Sequence, residues 1–468
     1  MLFNSLIFLI FLPLVFIGYW ALKSNYRKLF LLAASYYFYF SYNPWFLLLL
    51  IGTSTLDYYL AKFISESEDK NIRKTLLIVS LISSLGVLCA FKYSAFFYNS
   101  FSLIIGSDYS NLNSIIIPAG LSFYTFQSIS YTIDIYRRKY KAKDSLQDFL
   151  LFVSFFPHMV AGPIMRHDDL MPQLKQKHYF KTINWESFFK LTIWGFFKKM
   201  VIADNLSAIV TPIFNDVSHF SGSTLLVAGF LFVIQVYADF SGYSDIASGV
   251  AKLFGINLSL NWNRPLLSKS LHEFWSRWHI SLTTWFKEYL YVGLGGNRKG
   301  NSRWLLNVFI VFLISGLWHG ASYTVVLWGA LHGVFYIIEI LLMKKFPSIK
   351  IIPVIGWLYL ILIHTLTLTV FRALSLNDAG VIFSKMLFHF SFSTCFIELR
   401  DVVDVFFLHV CAIVCLLLFL KELNEEFQLL QNMKGYSNLY KPAFYIFMLV
   451  AIFILGNFNS NQFIYFQF

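Results

Sequence analysis

Apolar runs long enough to cross a lipid bilayer recur from one end of this 468-residue chain to the other, and nothing constrains its fold more strongly. A spanning helix needs about twenty predominantly apolar residues. Hydrocarbon offers no partner to a backbone N–H or C=O, so only helices and closed barrels cross it. The runs here are long and continuous rather than alternating, which selects helices. Composition agrees: 57% of residues are hydrophobic, 53 are Phe, and 13% are charged, against about a quarter in soluble domains. The expected fold is an all-α polytopic membrane protein. It has about 11–12 transmembrane helices plus re-entrant and interfacial helices around a central cavity or tunnel.

The formal charge of +12 does not indicate nucleic acid. Lys and Arg fall in short loops between apolar runs, the pattern that orients helices in a membrane, and no basic stripe or base-stacking motif accompanies them. Residues 1–22 lack a basic leader and a small-residue cleavage site, so they read as an uncleaved first span. Cys89, Cys395, Cys411 and Cys415 make no disulfide framework. Cys411 and Cys415 read as small buried hydrophobes, and no metal is expected.

Placing Lys/Arg-rich loops in the cytoplasm orders the chain. Residues 1–22 run inward to Lys23–Lys28. The stretch 29–60 is too long for one upright span, and Asn43-Pro44 breaks it into two helices. Residues 75–98 exit and 115–136 return to Arg137, Arg138, Lys139, Lys141 and Lys143. The stretch 149–165, interrupted by Pro157, Gly162 and Pro163, re-enters and leaves on one side as a candidate cavity wall. Residues 187–203 exit to a loop at 204–222, and 224–256 come back to a polar-aromatic segment, 258–303. Spans at 304–320, 322–343, 351–374, 403–420 and 442–458 follow. About twelve crossings result, with both termini outside. The chain reads as a single embedded domain, with N-terminal spans in 1–148, a core in 149–345, and C-terminal spans with an aromatic tail in 346–468.

Residues 315–320 read Ser-Gly-Leu-Trp-His-Gly. His319 closes an apolar span, and an ionisable group at membrane depth points to function; His is also the side chain suited to proton transfer near neutrality. Packing against a backbone carbonyl is the structural alternative. In 258–303, Asn261-Trp-Asn-Arg-Pro precedes His272-Glu-Phe-Trp-Ser-Arg-Trp-His279, and helical spacing puts His272, Trp275 and His279 on one face. The segment reads either as a membrane-surface anchor or as the cytoplasmic floor of a site for a phosphate-bearing ligand. In the second reading Arg264, Arg277, Arg298 and Lys299 are the phosphate partners. Asp239, Ser241, Tyr243 and Asp245 interrupt the 224–256 run, facing either a polar cavity or the solvent at a helix end. The closing Phe463-Ile-Tyr-Phe-Gln-Phe468 carries one hydroxyl, Tyr465, on an aromatic tail that otherwise suits interfacial anchoring. No Walker loop, dinucleotide-binding glycine pattern, nucleophile elbow or inverted repeat is present.

Trp318-His319-Gly320 resembles the signature of the membrane-bound O-acyltransferases. The block from His272 through Thr283-Thr-Trp-Phe to Tyr291-Val-Gly-Leu-Gly-Gly-Asn297 is similar to their bacterial branch. That branch comprises the alginate O-acetylation proteins, the peptidoglycan O-acetyltransferases and the teichoic acid D-alanyl transfer proteins. Met1-Leu-Phe-Asn-Ser, Gly162-Pro163-Ile and the tail look like the alginate/peptidoglycan subgroup. The resemblance implies acetyl-CoA as cytosolic donor, an extracytoplasmic polysaccharide as acceptor and His319 as general base. It implies secondary roles for His279, Asp239 and Asn261 around that base, and a carrier role for Tyr465. It also implies a location in the inner (cytoplasmic) membrane and an extracytoplasmic acetyltransferase or esterase-like partner protein. D-alanyl transfer, and a transporter without acyl-transfer chemistry, are the alternatives.

Overall fold

The computed structural model describes residues 1–105, 116–347, 352–430, 440–458 and 463–464, which form helices and no strands. Seven of the helices are long and apolar enough to cross a membrane, and Leu6–Ala21 and Lys441–Leu455 are shorter apolar helices. A helix stands at each of the twelve expected crossings. The described residues form two compact units, one of Met1–Thr192 with Ile246–Leu260 and the other of Ile193–Asp245 with Asn261–Phe468.

In the first unit, the break at Asn43-Pro44 is real. Helix Ser24–Phe40 ends, the Asn43 side chain accepts from Trp45 N, and Pro44 opens helix Pro44–Glu66. Asn at the cap and Pro at the first helical position are each suited to an orphaned helix start. A buried carboxylate then ties three helices together. Asp57 accepts from Ser80 at 2.7 Å and Ser84 at 2.8 Å on helix Lys70–Lys92, and from Ser128 at 2.6 Å on helix Leu121–Tyr136.

The interrupted stretch after residue 149 is non-helical where Pro and Gly foretold it. Helix Leu146–Ser154 stops, and the next helix begins only at His167. The backbone between them is buried, and its polar groups find partners in protein. Phe156 N donates to the Ser35 hydroxyl at 3.1 Å, and Gly162 N donates to His158 O at 2.8 Å. Gly120, with φ of 71°, lets this segment close in, since a Cβ there would lie 2.5 Å from Met159 O.

The segment 187–203, which enters the second unit at Ile193, does not end in a loop. Helix Trp185–Phe196 passes through a π-helical turn, Phe197–Ala203, directly into helix Asp204–Asn215. The expected outer loop at 204–222 is therefore helical over most of its length, and Asp204 is buried (5% exposed). What holds it inside is an ion-pair network that span-by-span reading does not reveal. Lys199 Nζ lies 2.8 Å from Asp204 and 2.7 Å from Asp239, and Lys198 Nζ lies 2.6 Å from Asp245. Asp239 and Asp245 come from helix Gly222–Lys252.

Helices Asn301–His319 and Tyr323–Lys345 form a tight pair in the same unit. Gly316 and Gly329 face each other there: a Cβ on Gly329 would sit 2.5 Å from Phe312 O and 3.0 Å from Gly316 Cα. Small residues at such a crossing let two backbones approach closely.

Candidate active site

His319 is the last residue of helix Asn301–His319, with Gly320 in extended backbone beyond it. Aromatic rings surround the half-buried imidazole. The Trp318 ring is 4.8 Å away, Trp328 stands edge-on at 5.3 Å and Phe371 at 6.0 Å. A helix C-terminus favours positive charge, and the rings exclude water on these sides. That is the setting in which an imidazole can take up a proton while a reactive acyl group is shielded from hydrolysis.

Two further histidines, which the sequence did not single out, extend this cluster. Trp328 contacts His332 at 4.9 Å, and His332 lies 5.2 Å from His364. His332 Nε2 is within 2.9 Å of the Thr367 hydroxyl, and His364 Nδ1 is 2.8 Å from Leu360 O. The signal available was Ile363-His-Thr-Leu-Thr367 followed by Thr369, a run of polar side chains inside an apolar helix.

The segment 258–303 departs from the single helical face expected of it. Helix Leu271–Arg277 is capped by the Ser270 hydroxyl, and Leu271 N and His272 N donate to Glu339 at 2.8 and 3.0 Å. It ends before Trp278, and His279 takes a left-handed conformation (φ 43°) at the start of helix Ile280–Trp285. His272 and His279 are therefore not on one face. His272 is exposed, with Nδ1 2.9 Å from the Tyr336 hydroxyl, whereas His279 is 2% exposed. Its ring lies 5.4 Å from Trp262 and 6.3 Å from Trp318, the neighbour of His319. Burial pushes His279 down to about 3, so it is neutral in the working range.

Asn261 braces this bend. Its Oδ1 accepts from Ser281 N at 3.1 Å and from the Ser281 hydroxyl at 2.9 Å, while its backbone O accepts from Ile280 N at 2.9 Å. The candidate phosphate partners divide. Arg264 and Arg277 both bind Glu426, at 2.8 and 2.9 Å, and Arg277 also pairs with Glu273 at 2.7 Å. Arg298 and Lys299 are exposed on the glycine-rich turn that follows. Asn261 and the Arg264–Arg277 pair are thus engaged within the protein, and the Arg298–Lys299 pair faces outward.

Asp239 is buried (2% exposed) beside a cavity rather than at a solvated helix end. The chain's last described residues return to it: Ile464 N donates to Asp239 at 2.7 Å, and the Phe463 ring packs 4.6 Å from Tyr243 and 4.5 Å from Lys199 Nζ. Tyr465 lies outside the described residues. No group of three or more metal-ligating side chains occurs among the described residues.

Known proteins share this arrangement of sequence. The family model of the membrane-bound O-acyltransferases matches residues 31–372. The chain is 39% identical over 400 residues to a protein named probable alginate O-acetylase from Pseudomonas aeruginosa, covering 84% of this chain and 76% of that one. It is 36% identical over 368 residues to the peptidoglycan O-acetyltransferase of Helicobacter pylori, covering 71% and 69% respectively. Similarity to the teichoic acid D-alanyltransferase of Bacillus subtilis is lower, 27% over 228 residues, covering 46% of this chain and 57% of that protein.

Proposed function

The chain belongs to the membrane-bound O-acyltransferase family, and from that premise we propose that it moves acetyl from cytosolic acetyl-CoA to a hydroxyl of an extracytoplasmic polysaccharide. It is an O-acyltransferase in a multi-pass membrane protein, so the transporter reading falls away. The observation that carries the proposal is the placement of His319: a half-buried imidazole at a helix C-terminus, walled by Trp318, Trp328 and Phe371.

The chemistry follows from that placement. The His319 imidazole takes the proton of the acceptor hydroxyl as its oxygen attacks the thioester carbonyl. The tetrahedral intermediate then collapses, the C–S bond breaks, and the departing thiolate takes the proton back as free thiol. Proton transfer of this kind contributes about 10²–10⁴-fold. Neutral His279 and Asn261 act as positioning residues for the bend that packs on Trp318. Arg298 and Lys299 meet the donor's phosphates, with Arg264 and Arg277 held in reserve on Glu426. The acceptor is an alginate-like exopolysaccharide or peptidoglycan, the membrane is the cytoplasmic one, and a separate extracytoplasmic acetyltransferase completes delivery. Tyr465 is the candidate carrier between base and acceptor. Tyr465→Phe tests it, because that variant keeps the ring and loses the nucleophile; unchanged polysaccharide acetylation would exclude the carrier role.

His319→Ala tests the central step. The variant is expected to insert and fold while acetyl transfer falls by at least about a hundredfold. Retention of more than about a tenth of the wild-type rate would contradict general-base catalysis by this residue. Presenting acetyl-CoA and a D-alanyl carrier protein to the same preparation separates the two acyl donors.

A further inference from the structure

The first unit holds a buried polar site for which the acyl-transfer chemistry above has no use. Asp57 lies midway along helix Pro44–Glu66, one of the seven able to cross a membrane, and is 2% exposed. The hydroxyls that reach it stand midway along two neighbouring helices, Ser80 and Ser84 on Lys70–Lys92 and Ser128 on Leu121–Tyr136. A fourth, Ser54, precedes Asp57 by one helical turn and is also 2% exposed, yet its Oγ has no hydrogen-bond partner in the protein. Ser54, Asp57, Ser84 and Ser128 line one small cavity together with Tyr124 and Thr125.

The charges in this cluster do not close. A hydroxyl has one proton to give, and Ser80, Ser84 and Ser128 all give theirs to the carboxylate. These dipoles soften its charge without cancelling it, and no Lys, Arg or His acts on Asp57 among the described residues. An ionisable group at membrane depth is costly, and it is met paired with an opposite charge or on the path of an ion. The donating hydroxyls keep lone pairs free, and Ser54 adds an oxygen to which nothing is bound. The cluster is rich in acceptor oxygens and short of one positive charge.

Size selects the cation. The cavity measures about 10 Å³, at the lower limit of about 10–15 Å³ that holds a single water molecule. A hydrated ion or an organic cation does not fit such a space. Calcium gathers about six to eight oxygens, commonly from several carboxylates, and magnesium keeps several of its waters; one carboxylate and so small a space suit neither. Bare potassium is as large as a water molecule, whereas bare sodium is smaller. We infer that Asp57, Ser54, Ser84 and Ser128 form a binding site for one sodium ion, which neutralises the carboxylate and clamps the three helices. Each donating hydroxyl keeps its proton on Asp57 and offers a lone pair to the ion, so ligation breaks none of the hydrogen bonds above.

The experiment follows thermal unfolding of the full-length protein in detergent. Sodium chloride replaces N-methyl-D-glucamine chloride at constant ionic strength, and potassium chloride replaces it in a second series. A ligand that binds only the folded state raises the unfolding temperature as its concentration passes the dissociation constant. Sodium is expected to raise it by about 3 °C or more, and potassium by less. Asp57→Asn keeps the shape and removes the charge, so its unfolding temperature should no longer respond to sodium. Ser54→Ala removes an oxygen that has no partner in the protein, so its stability without sodium should equal that of wild type. A purely structural role predicts an unmoved sodium midpoint in this variant, whereas the inference predicts one raised at least about tenfold. If Asp57→Asn does not fold, Ser54→Ala decides alone. A wild type indifferent to sodium is the result that a protonated carboxyl or a cavity holding only water would give, and it would overturn the inference. An equal shift with potassium, a sodium response surviving in Asp57→Asn, or an unmoved midpoint in Ser54→Ala would do the same.

Discussion

Gly329→Ala is a one-methyl change that should disable the enzyme without touching its imidazole. The added Cβ would lie 2.5 Å from Phe312 O and 3.0 Å from Gly316 Cα, both on the opposing helix. These are backbone atoms, so no side-chain rotation relieves the clash. Ordinary contact begins near 3.4 Å, and the two helices must part by about 0.9 Å to reach it. One helix ends at His319, and the other carries Trp328, adjacent to the substituted residue and 5.3 Å from that imidazole. A misplacement of about 1 Å at a reacting group costs on the order of a hundredfold in rate. Overpacking costs about 1–3 kcal/mol in stability, too little to prevent folding of a chain this size. The assay is acetyl transfer from acetyl-CoA in proteoliposomes, alongside thermal unfolding in detergent. Gly52→Ala is the control, because a Cβ there meets nothing within 4 Å. It should be neutral or stabilising by up to about 1 kcal/mol. If Gly329→Ala retained a rate within about threefold of wild type, the argument that this glycine contact sets the position of His319 would be wrong.

Three further outcomes are expected. Asp57→Leu strands the Ser80, Ser84 and Ser128 hydroxyls and should cost about 3 kcal/mol or more; an unshifted unfolding temperature would remove Asp57 from its central place. Burial raises the Asp144 carboxyl, but hydrogen bonds from His167 and Lys175 outweigh it and hold the group at about 2. Its stabilisation is therefore complete above the ordinary carboxylate value of about 3.9 and fades as pH falls through about 2. Asp144→Asn should lose roughly 1 kcal/mol at pH 7, after allowing for solvent screening, and converge on wild type at the acid end; an equal loss at both ends would refute the ionic origin. Arg298→Ala should raise the KM for acetyl-CoA severalfold at constant kcat, the signature of lost uniform binding. An unchanged KM would take the Arg298–Lys299 turn out of donor binding.

Features written in local chemistry were legible. The Asn43-Pro44 break, the interruption near Pro157 and the positions of the spans follow from caps, prolines and apolar length, each confined to a few adjacent residues. His319 stands out in the sequence because an ionisable residue in an apolar run needs a reason. Contacts made across the fold were not. Lys198 and Lys199 sit inside an apolar run, and their partners Asp239 and Asp245 lie on another helix, so neither run alone explains its charges. Helical spacing joined His272 to His279, but the chain leaves the helix at Trp278 and turns left-handed at His279. The short helices Leu376–Phe388 and Phe392–Val402 leave no signal of this kind, because neither is long enough to register as a span.

The return of Ile464 to Asp239 also bears on the order in which this protein is made. The two residues are 225 positions apart, so the helix carrying Asp239 leaves the ribosome long before its last donor exists. During that interval Lys199 is the carboxylate's partner among the described residues. The contact then closes only after Ile464 has emerged, which makes it a late step of assembly. A chain stopped before Phe463 should insert its helices normally yet remain open at this one corner, where a protease would find it first.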